Sequence, residues 1–412
     1  MDDQDGGGRR LSTRQTAELL GVKPATVYAY VSRGQLTSRR DPVGRGSSFD
    51  AGEVEALALR SRREAAAPTG EFSVRTSLTL IDSDRFWFRG VDAVELASRY
   101  RYEEVAEWLW TGKLVPGALF TAPPEPLAAA RRAVAALPEH SGPVDRLRVA
   151  VAAAAVADPL RFDLSEESVL GSARCLIPTL VGALPELAAQ RWGGDGRLAR
   201  RLWARLTERE PDPDALAVLD LALGLLTDHD LAASTLAVRV AASARAHPYA
   251  AVSAGLGALE GPLHGAAGRL AHRMLVEVLE RGGAAPVVAE YLRAGRRVPG
   301  LGHRLYRGED PRATALFARL EGLEQAGPAL AAAREVAGVM ARHGGGLHAN
   351  VDLALSVLTV SCGMAAEAGE TLFAVARTAG WIAHALEEYQ ERPLRMRPSG
   401  QYIGPRPPQP MP

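Results

Sequence analysis

Apolar residues recur along most of this chain at spacings of three and four, the period of an amphipathic helix; Leu263, Ala267, Leu270, Met274 and Val278 form one such series. Short Gly and Pro breaks separate the helical stretches. A brief alternating segment, Thr76 to Ile81, predicts a strand. There is no strand–helix alternation and no GxGxxG afterwards, which argues against a doubly wound nucleotide fold. The alanine-rich stretch 128–157 interleaves Arg and Leu, as close-packed helices do, and no internal repeat is visible. The predicted fold class is mainly α.

Helical periodicity stops at Ala65 to Gly70 (AAAPTG), dividing a small unit from a large one near residue 68. The predicted organisation is a disordered tail over 1–10, a small domain over 11–66, a linker over 67–71, a helical region over 72–404 and a disordered tail over 405–412. Within the small unit, Ser12 to Leu20 opens with a capping Ser, Gly21 turns the chain, and Pro24 to Arg33 starts a second helix with Pro in its first turn. Leu36 to Phe49 predicts a hairpin or wing, and Asp50 caps a third helix to about Arg63. This pattern resembles the winged helix-turn-helix modules of the regulator and excisionase type. From Arg9 to Arg45 there are eight basic residues against two acidic ones, so double-stranded DNA is a candidate partner. Lys23, Thr26, Tyr28 and Tyr30 would face a major groove, with Arg39, Arg40 and Arg45 on backbone phosphates. The alternative is a protein-contact module in a chain that scatters arginine everywhere.

At 412 residues the chain is too long for one ordinary core, and 47% hydrophobic with 23% charged residues is a globular composition. Formal charge balances at +0, so DNA affinity has to come from the local N-terminal patch. Of 48 basic residues only Lys23 and Lys113 are lysines, leaving 46 arginines; this argues against Schiff-base chemistry and assigns anion binding to Arg. Cys175 and Cys362 cannot make a disulfide framework, Asp2, Asp3 and Asp5 sit where a signal peptide needs positive charge, and the longest charge-free apolar run, Val149 to Ala157, is too short to span a bilayer. A soluble protein of the cytoplasm is expected.

Three segments carry candidate chemistry. In Gly261 to Gly265 (GPLHG), two glycines and a proline hold His264 on bent backbone before a helix, where it can donate to a developing enolate oxygen. Pro299 to Arg312 (PGLGHRLYRGEDPR) sets His303 after a Gly-X-Gly loop, with Arg307 and Arg312 nearby, as an anion-handling site requires. Asn350 to Asp352 (NVD) caps and begins an apolar helix running to about Cys362. Taken singly, each has a structural explanation: a capping or core histidine, or a carboxylate complementing a helix dipole.

In this order the segments resemble the citrate synthase family, which includes the 2-methylcitrate synthases. Leu78 to Gly90 (LTLIDSDRFWFRG), Tyr102 to Gly112 (YEEVAEWLWTG), His229 to Arg239 (HDLAASTLAVR), Arg377 to His384 (RTAGWIAH) and Arg397 to Gly404 (RPSGQYIG) extend the resemblance over roughly 72–404. It implies a large helical domain over about 72–262 and 366–404, and a small one over about 263–365. It also implies an acyltransferase that condenses acetyl-CoA or propionyl-CoA with oxaloacetate and then hydrolyses the thioester. Asp352 would be the base, His264 the enol-oxygen donor and His303 the donor to the ketone oxygen. His229, Arg312, Arg377 and Arg397 would hold the oxo acid, Arg397 reaching the neighbouring subunit's site in a homodimer. Val298, Gly300, Leu301 and Gly302 would meet the CoA adenine, Arg307 a CoA phosphate, and Ser234 would orient His264. The family implies no metal and no permanently bound cofactor.

Departures from the commonest family pattern, Ala232, Ala266 and the run Leu353 to Leu355, predict a more apolar pocket, so 2-methylcitrate formation stays open beside citrate formation. A lysine commonly found shortly before NVD is absent. The competing reading is a DNA-binding regulator that uses a synthase-like domain to sense an acyl-CoA or oxo acid.

Overall fold

The structure, a computed structural model, describes residues 10–20, 22–32, 35–40, 46–55, 57, 74–187, 196–261, 265–343, 347–396, 398 and 403. Packing divides the chain into two units, residues 1–75 and 76–412, later than the break expected near 68. Each is described by itself.

In the first unit, β1 (Arg10–Ser12) leads into α1 (Thr13–Leu20). Ser12 caps α1, and Gln15 reaches back to accept from the Ser12 backbone N–H at 2.9 Å, a capping-box arrangement. Next comes α2 (Pro24–Ser32), whose Pro occupies the first helical position where no N–H is needed. β2 (Ser38–Arg40) and β3 (Ser47–Asp50) complete an antiparallel sheet of order β1-β3-β2. Asp50 then accepts from the Glu53 N–H to start α3 over 51–55. Leu11, Ala17, Val27, Leu36, Phe49 and Val54 make its small core.

The second unit opens with a meander of three short strands, β4 (Thr79–Asp82), β5 (Arg85–Phe88) and β6 (Val91–Asp92), where sequence predicts one strand. The turn between β4 and β5 is made by Ser83 and Asp84 at φ 48° and 59°. Short polar residues tolerate this left-handed backbone, but Ser-Asp is a weaker hairpin signal than Asn-Gly. Helices follow without further strands among the described residues: α4 (Ala93–Arg99), α5 (Tyr102–Thr111), α6 (Pro124–Ala135), α7 (Pro143–Val156), α8 (Glu166–Ala183), α9 (Leu198–Leu206), α10 (Pro213–Leu226), α11 (Ala233–Ser243) and α12 (Pro248–Leu259). Next come α13 (Ala266–Arg281), α14 (Ala284–Arg293), α15 (Pro311–Leu320), α16 (Gly327–Arg342), α17 (Val351–Ser361) and α18 (Ala368–Gln390). Proline at the first helical position recurs in α6, α7, α10, α12 and α15, each time where the chain leaves extended backbone. The expected mainly α architecture is found.

One continuous apolar core fills this unit. The 23-residue α18 runs through it, buried on nearly all sides, which is why polar side chains on it must find internal partners. On α13 the buried face is Ala271, Met274, Leu275 and Val278; Leu270, expected on that face, is 48% exposed, because the core stripe passes one position later. Cys175 and Cys362 are unpaired. No helix among the described residues is long and apolar enough to cross a membrane.

Candidate active site

A cavity of about 500 Å³ brings together His229, His303, Arg312, Asp352 and Arg377. His229 lies between α10 and α11, His303 between α14 and α15, Arg312 in the first turn of α15, Asp352 in the first turn of α17, and Arg377 within α18.

The loop bearing His303 is laced to the start of α17. Asn350 caps that helix, accepting from the Asp352 N–H at 3.0 Å, while its own amide donates to the Gly302 carbonyl at 2.9 Å. The Asn350 and Gly302 backbone N–H groups donate to Gly300 and His348 at 3.0 and 2.7 Å. Gly300 is at φ +79°, and a Cβ there would come 2.8 Å from Leu353 Cβ, so both conformation and space demand glycine. His303 and Asp352 are thereby held in one rigid frame.

His303 accepts from the Leu305 N–H through Nδ1 at 3.1 Å, which leaves the proton on Nε2. Burial, with the Arg312 charge beside it, lowers its pKa to about 4, against the pull of Asp310, so the ring is a neutral donor at pH 7. His229 meets His303 edge-on at 5.2 Å between ring centres, and its Nε2 pairs with the Tyr306 hydroxyl at 2.7 Å. Burial and the nearby Arg312 and Arg377 charges hold His229 well below its ordinary pKa.

Asp310 fixes Arg312 from two sides, accepting from Nε at 2.9 Å and Nη2 at 2.8 Å, and also caps α15 through the Arg312 N–H. Burial works against its charge, yet Arg312 holds the Asp310 carboxyl below its usual range. Arg377 donates through Nε to the Leu226 carbonyl at 2.9 Å, and its guanidinium sits 4.5 Å over the Phe373 ring. Its Nη2 is buried with no hydrogen-bond partner among the described residues. Burial lowers the Arg377 pKa to about 10, so it is still a cation at pH 7. Asp352 goes the other way: burial raises its pKa to about 6, with Arg312 opposing. Such a carboxylate is ionised at neutral pH and more basic than a surface aspartate.

Behind Arg377, the buried Asp228 accepts from Thr79 and faces His384 Nε2 at 3.2 Å, while Arg239 donates to His384 Nδ1 at 2.9 Å. Burial opposes the Asp228 charge, but His384 and Arg377 keep its carboxyl below the usual range. Two neutral imidazoles, two anchored guanidiniums and one basic carboxylate can bind a ligand with more than one carboxylate and move a proton at carbon or oxygen.

His264 and Arg397 lie outside the described residues; Gly265, next to His264, lines the cavity. Ser234 is buried in the first turn of α11. A neighbouring cavity of about 670 Å³ is lined by Val298, Leu301 and Gly302, with Arg296 and Arg297, and shares His303 and Arg304 with the first. Gly300 is absent from its lining, as is Arg307, which is exposed and donates its backbone N–H to Asp84 at 2.8 Å. Of the departures from the family pattern, Ala232 lines the active cavity, but Leu353, Ala354 and Leu355 do not. They are turned into the core by the helical period that points Asp352 into the site, which corrects the expectation that they form its wall. In the first unit Lys23, Tyr28 and Arg39 are exposed, Thr26 is half-buried, and Tyr30 packs against the small core rather than standing free. Arg45 and the Arg40 side chain lie outside the description.

Sequence reasoning passed over Tyr306, Asp310, Asp228 and His384. Asp310 carried a readable signal, an Asp directly before a proline that starts a helix; for the Asp228–His384 pair, 156 positions apart, there was none.

A family model described as "Citrate synthase, C-terminal domain" matches residues 68–399. The citrate synthase of Synechocystis sp. is 32% identical over 345 residues, covering 77% of this chain and 84% of that protein. The crystal structure of citrate synthase from Pyrobaculum aerophilum superposes with a TM-score of 0.69 at 27% identity, covering 91% of this chain and 97% of that one. A ternary complex of carboxymethyl coenzyme A and oxaloacetate with citrate synthase from Thermoplasma acidophilum matches at TM-score 0.66, covering 85% and 98%; at 24% identity this likeness speaks for the fold.

Proposed function

The chain belongs to the citrate synthase family and is a condensing acyltransferase of that type; from that premise we propose that it joins acetyl-CoA or propionyl-CoA to oxaloacetate through His264, His303 and Asp352. The observation that carries the oxo-acid part is the buried Nη2 of Arg377, without a hydrogen-bond partner among the described residues, in the same cavity as His303 and Asp352. A buried guanidinium N–H without a partner costs free energy that a substrate carboxylate recovers.

In this reading Arg377, Arg312 and His229 hold the oxaloacetate carboxylates, and Arg397 adds a cation from the second subunit of a homodimer. The thioester enters from the neighbouring cavity past His303, with coenzyme A against Val298, Leu301 and Gly302, which line that cavity, while Gly300 shapes the loop from behind and the exposed Arg307 meets a phosphate outside it. Asp352 removes a proton from the carbon next to the thioester carbonyl while His264 donates to the enol oxygen. That carbon attacks the ketone carbon, and the oxygen receives its proton from His303 Nε2. Water then cleaves the thioester, releasing coenzyme A and the tricarboxylate. Ser234 orients His264, and no permanent cofactor takes part.

Small residues surround Asp352: a Cβ on Gly268 would lie 3.5 Å from its Oδ1, so the space there is open to substrate. One extra methylene is discriminated by only about 10- to 200-fold in such pockets, and both acyl groups are taken to be substrates. The test is thiol release from acetyl-CoA and from propionyl-CoA, each with oxaloacetate, by wild type and Asp352→Ala. Turnover of both by wild type, falling at least about 100-fold in the variant, is expected; no turnover with either thioester would sink the proposal.

We further propose a large helical domain over about 72–262 and 366–404 and a small one over 263–365. The first unit is read as a winged helix-turn-helix with affinity for double-stranded DNA, favoured by exposed Lys23 and Tyr28 at α2 and exposed Arg39 on β2. Fluorescence anisotropy with a random duplex checks this: binding should weaken steeply with salt, and salt-insensitive or absent binding removes the role. Family membership favours catalysis over the reading of a sensing regulator.

A further inference from the structure

Of the two arginines that line the active cavity with the oxo acid in view, Arg312 is clasped by an aspartate and Arg377 is not. An aspartate nevertheless stands beside Arg377. Asp228 and Arg377 are both buried, and each charge acts on the other. Arg377 Nη2 has no hydrogen-bond partner among the described residues, and Asp228 Oδ1 is in the same condition, so these two atoms do not bond each other. An orphaned buried donor and an orphaned buried acceptor gain by pairing, a guanidinium and a carboxylate most of all. Something holds them apart.

The chain corner that carries Asp228 is seated on α18. Leu226, the last residue of α10, accepts from Arg377 Nε at 2.9 Å, two positions before Asp228. A Cβ on Gly380 would come 2.3 Å from the Thr227 carbonyl oxygen and 2.7 Å from Asp228 Oδ1, so only glycine lets the corner approach. Arg377, Gly380 and His384 are spaced three and four apart and share one face of α18. Asp228 therefore lies over Gly380, with Arg377 one helical turn before it and His384 one turn after.

The carboxylate goes to the His384 side. His384 Nε2, at 3.3 Å, and the Thr79 hydroxyl both donate to Asp228 Oδ2. The far side of the ring fixes its tautomer: Arg239 Nη1 lies 2.9 Å from Nδ1, and a guanidinium only donates, so Nδ1 accepts and the ring N–H is at Nε2. Arg239 is in turn anchored by Glu387 and Glu388, at 2.7 and 3.2 Å, which locks the ring from behind.

We propose that His384, with Thr79, is a positioning residue for the oxo acid: by holding Asp228 through Oδ2 it keeps that carboxylate from pairing with Arg377 and leaves the guanidinium to a substrate carboxylate. Without the ring N–H, Asp228 becomes an internal competitor for Arg377. The hold stands on the geometry of these side chains; its effect on substrate rests on the oxo-acid reading given above.

The test compares His384→Leu, which removes both ring nitrogens, with His384→Gln, whose amide can donate to Asp228 and accept from Arg239. In His384→Leu the oxaloacetate KM should rise at least about tenfold while the acetyl-CoA KM changes less than about twofold. His384→Gln should stay within about threefold of wild type in both. Adding Asp228→Asn to His384→Leu should recover most of the loss, because the competitor has lost its charge; a merely structural role for the ring predicts further loss. A crystal structure of His384→Leu without substrate should show Asp228 against Arg377 Nη2. Asp228 still on Thr79 alone in that structure, a double variant without recovery, or equal rises in both KM values would each overturn the proposal. Should His384→Leu not fold, Thr79→Val decides: a rise of at least about threefold in oxaloacetate KM, reversed by Asp228→Asn, is expected, and no rise overturns the proposal. A closed Asp228–Arg377 pair with unchanged oxaloacetate KM would leave the hold standing and remove the oxo-acid reading instead.

Discussion

Asp310 clasps Arg312 with both carboxylate oxygens, at 2.9 and 2.8 Å, inside a chain segment where neither side chain reaches solvent. The same carboxylate accepts the Val351 N–H at 3.0 Å, so one aspartate ties the start of α15 to the start of α17 and Arg312 to the element that bears Asp352. Asp310→Asn removes the negative charge and leaves Arg312 buried without compensation, at a cost of about 3–5 kcal/mol for a broken buried pair. A lower melting temperature and an oxaloacetate KM at least about tenfold higher are expected. Unchanged KM would show that Arg312 does not touch the oxo acid.

The Asp352 carboxyl, with its pKa raised to about 6, sets the acid limb of activity. As a base it works ionised, so kcat/KM should fall tenfold per pH unit below about 6. His303, near 4, stays neutral throughout and adds no limb of its own there. A limb near pH 4 instead would contradict the burial argument.

The same shift has a stability consequence. A carboxyl whose folded pKa lies above its unfolded one favours the protonated fold, so stability is greatest below pH 4 for this group and declines as pH rises through 6. Asp352→Asn removes the ionisation and should stabilise the protein by about 1–3 kcal/mol at pH 7 while abolishing turnover. Thermal melts at pH 4 and pH 7 check it: the gain belongs to pH 7 alone.

Arg377→Ala deletes the guanidinium whose Nη2 has no hydrogen-bond partner among the described residues. Oxaloacetate should raise the melting temperature of the wild type and leave that of the variant unmoved, since ligand stabilisation scales with affinity. kcat/KM should drop about 100-fold or more. A retained oxaloacetate shift would place the substrate elsewhere.

Gly268→Ala adds a methyl 3.5 Å from Asp352 Oδ1, ordinary contact for the fold but space taken from substrate. Propionyl-CoA turnover should fall about tenfold more than acetyl-CoA turnover. Equal losses would mean that the second carbon of the acyl group points away from α13.

Mixing Asp352→Ala with Arg397→Ala subunits tests the shared site. Each variant alone should be inactive, and their mixed dimers contain one intact site of two, so exchange should restore about a quarter of wild-type activity. No recovery after exchange would argue that Arg397 serves its own subunit.

Sequence alone determined much of this protein. Helical period, proline starts and the Asn350 cap are local, decided within a few residues by backbone hydrogen bonding and sterics, and they were legible. So were His303, Arg312, Asp352, Arg377 and His229, because their motifs carry them in a recognisable order, and all five line one cavity. What only the tertiary structure decided are relations between residues far apart in the chain. The partnership of Asp228 with His384, the clasp between Asp310 and the start of α17, and the burial of Leu353 to Leu355 away from the site all depend on how helices pack. The same holds for basicity: nothing in the triplet NVD raises an aspartate pKa, and Asp352 acquires its base strength from the removal of water around it.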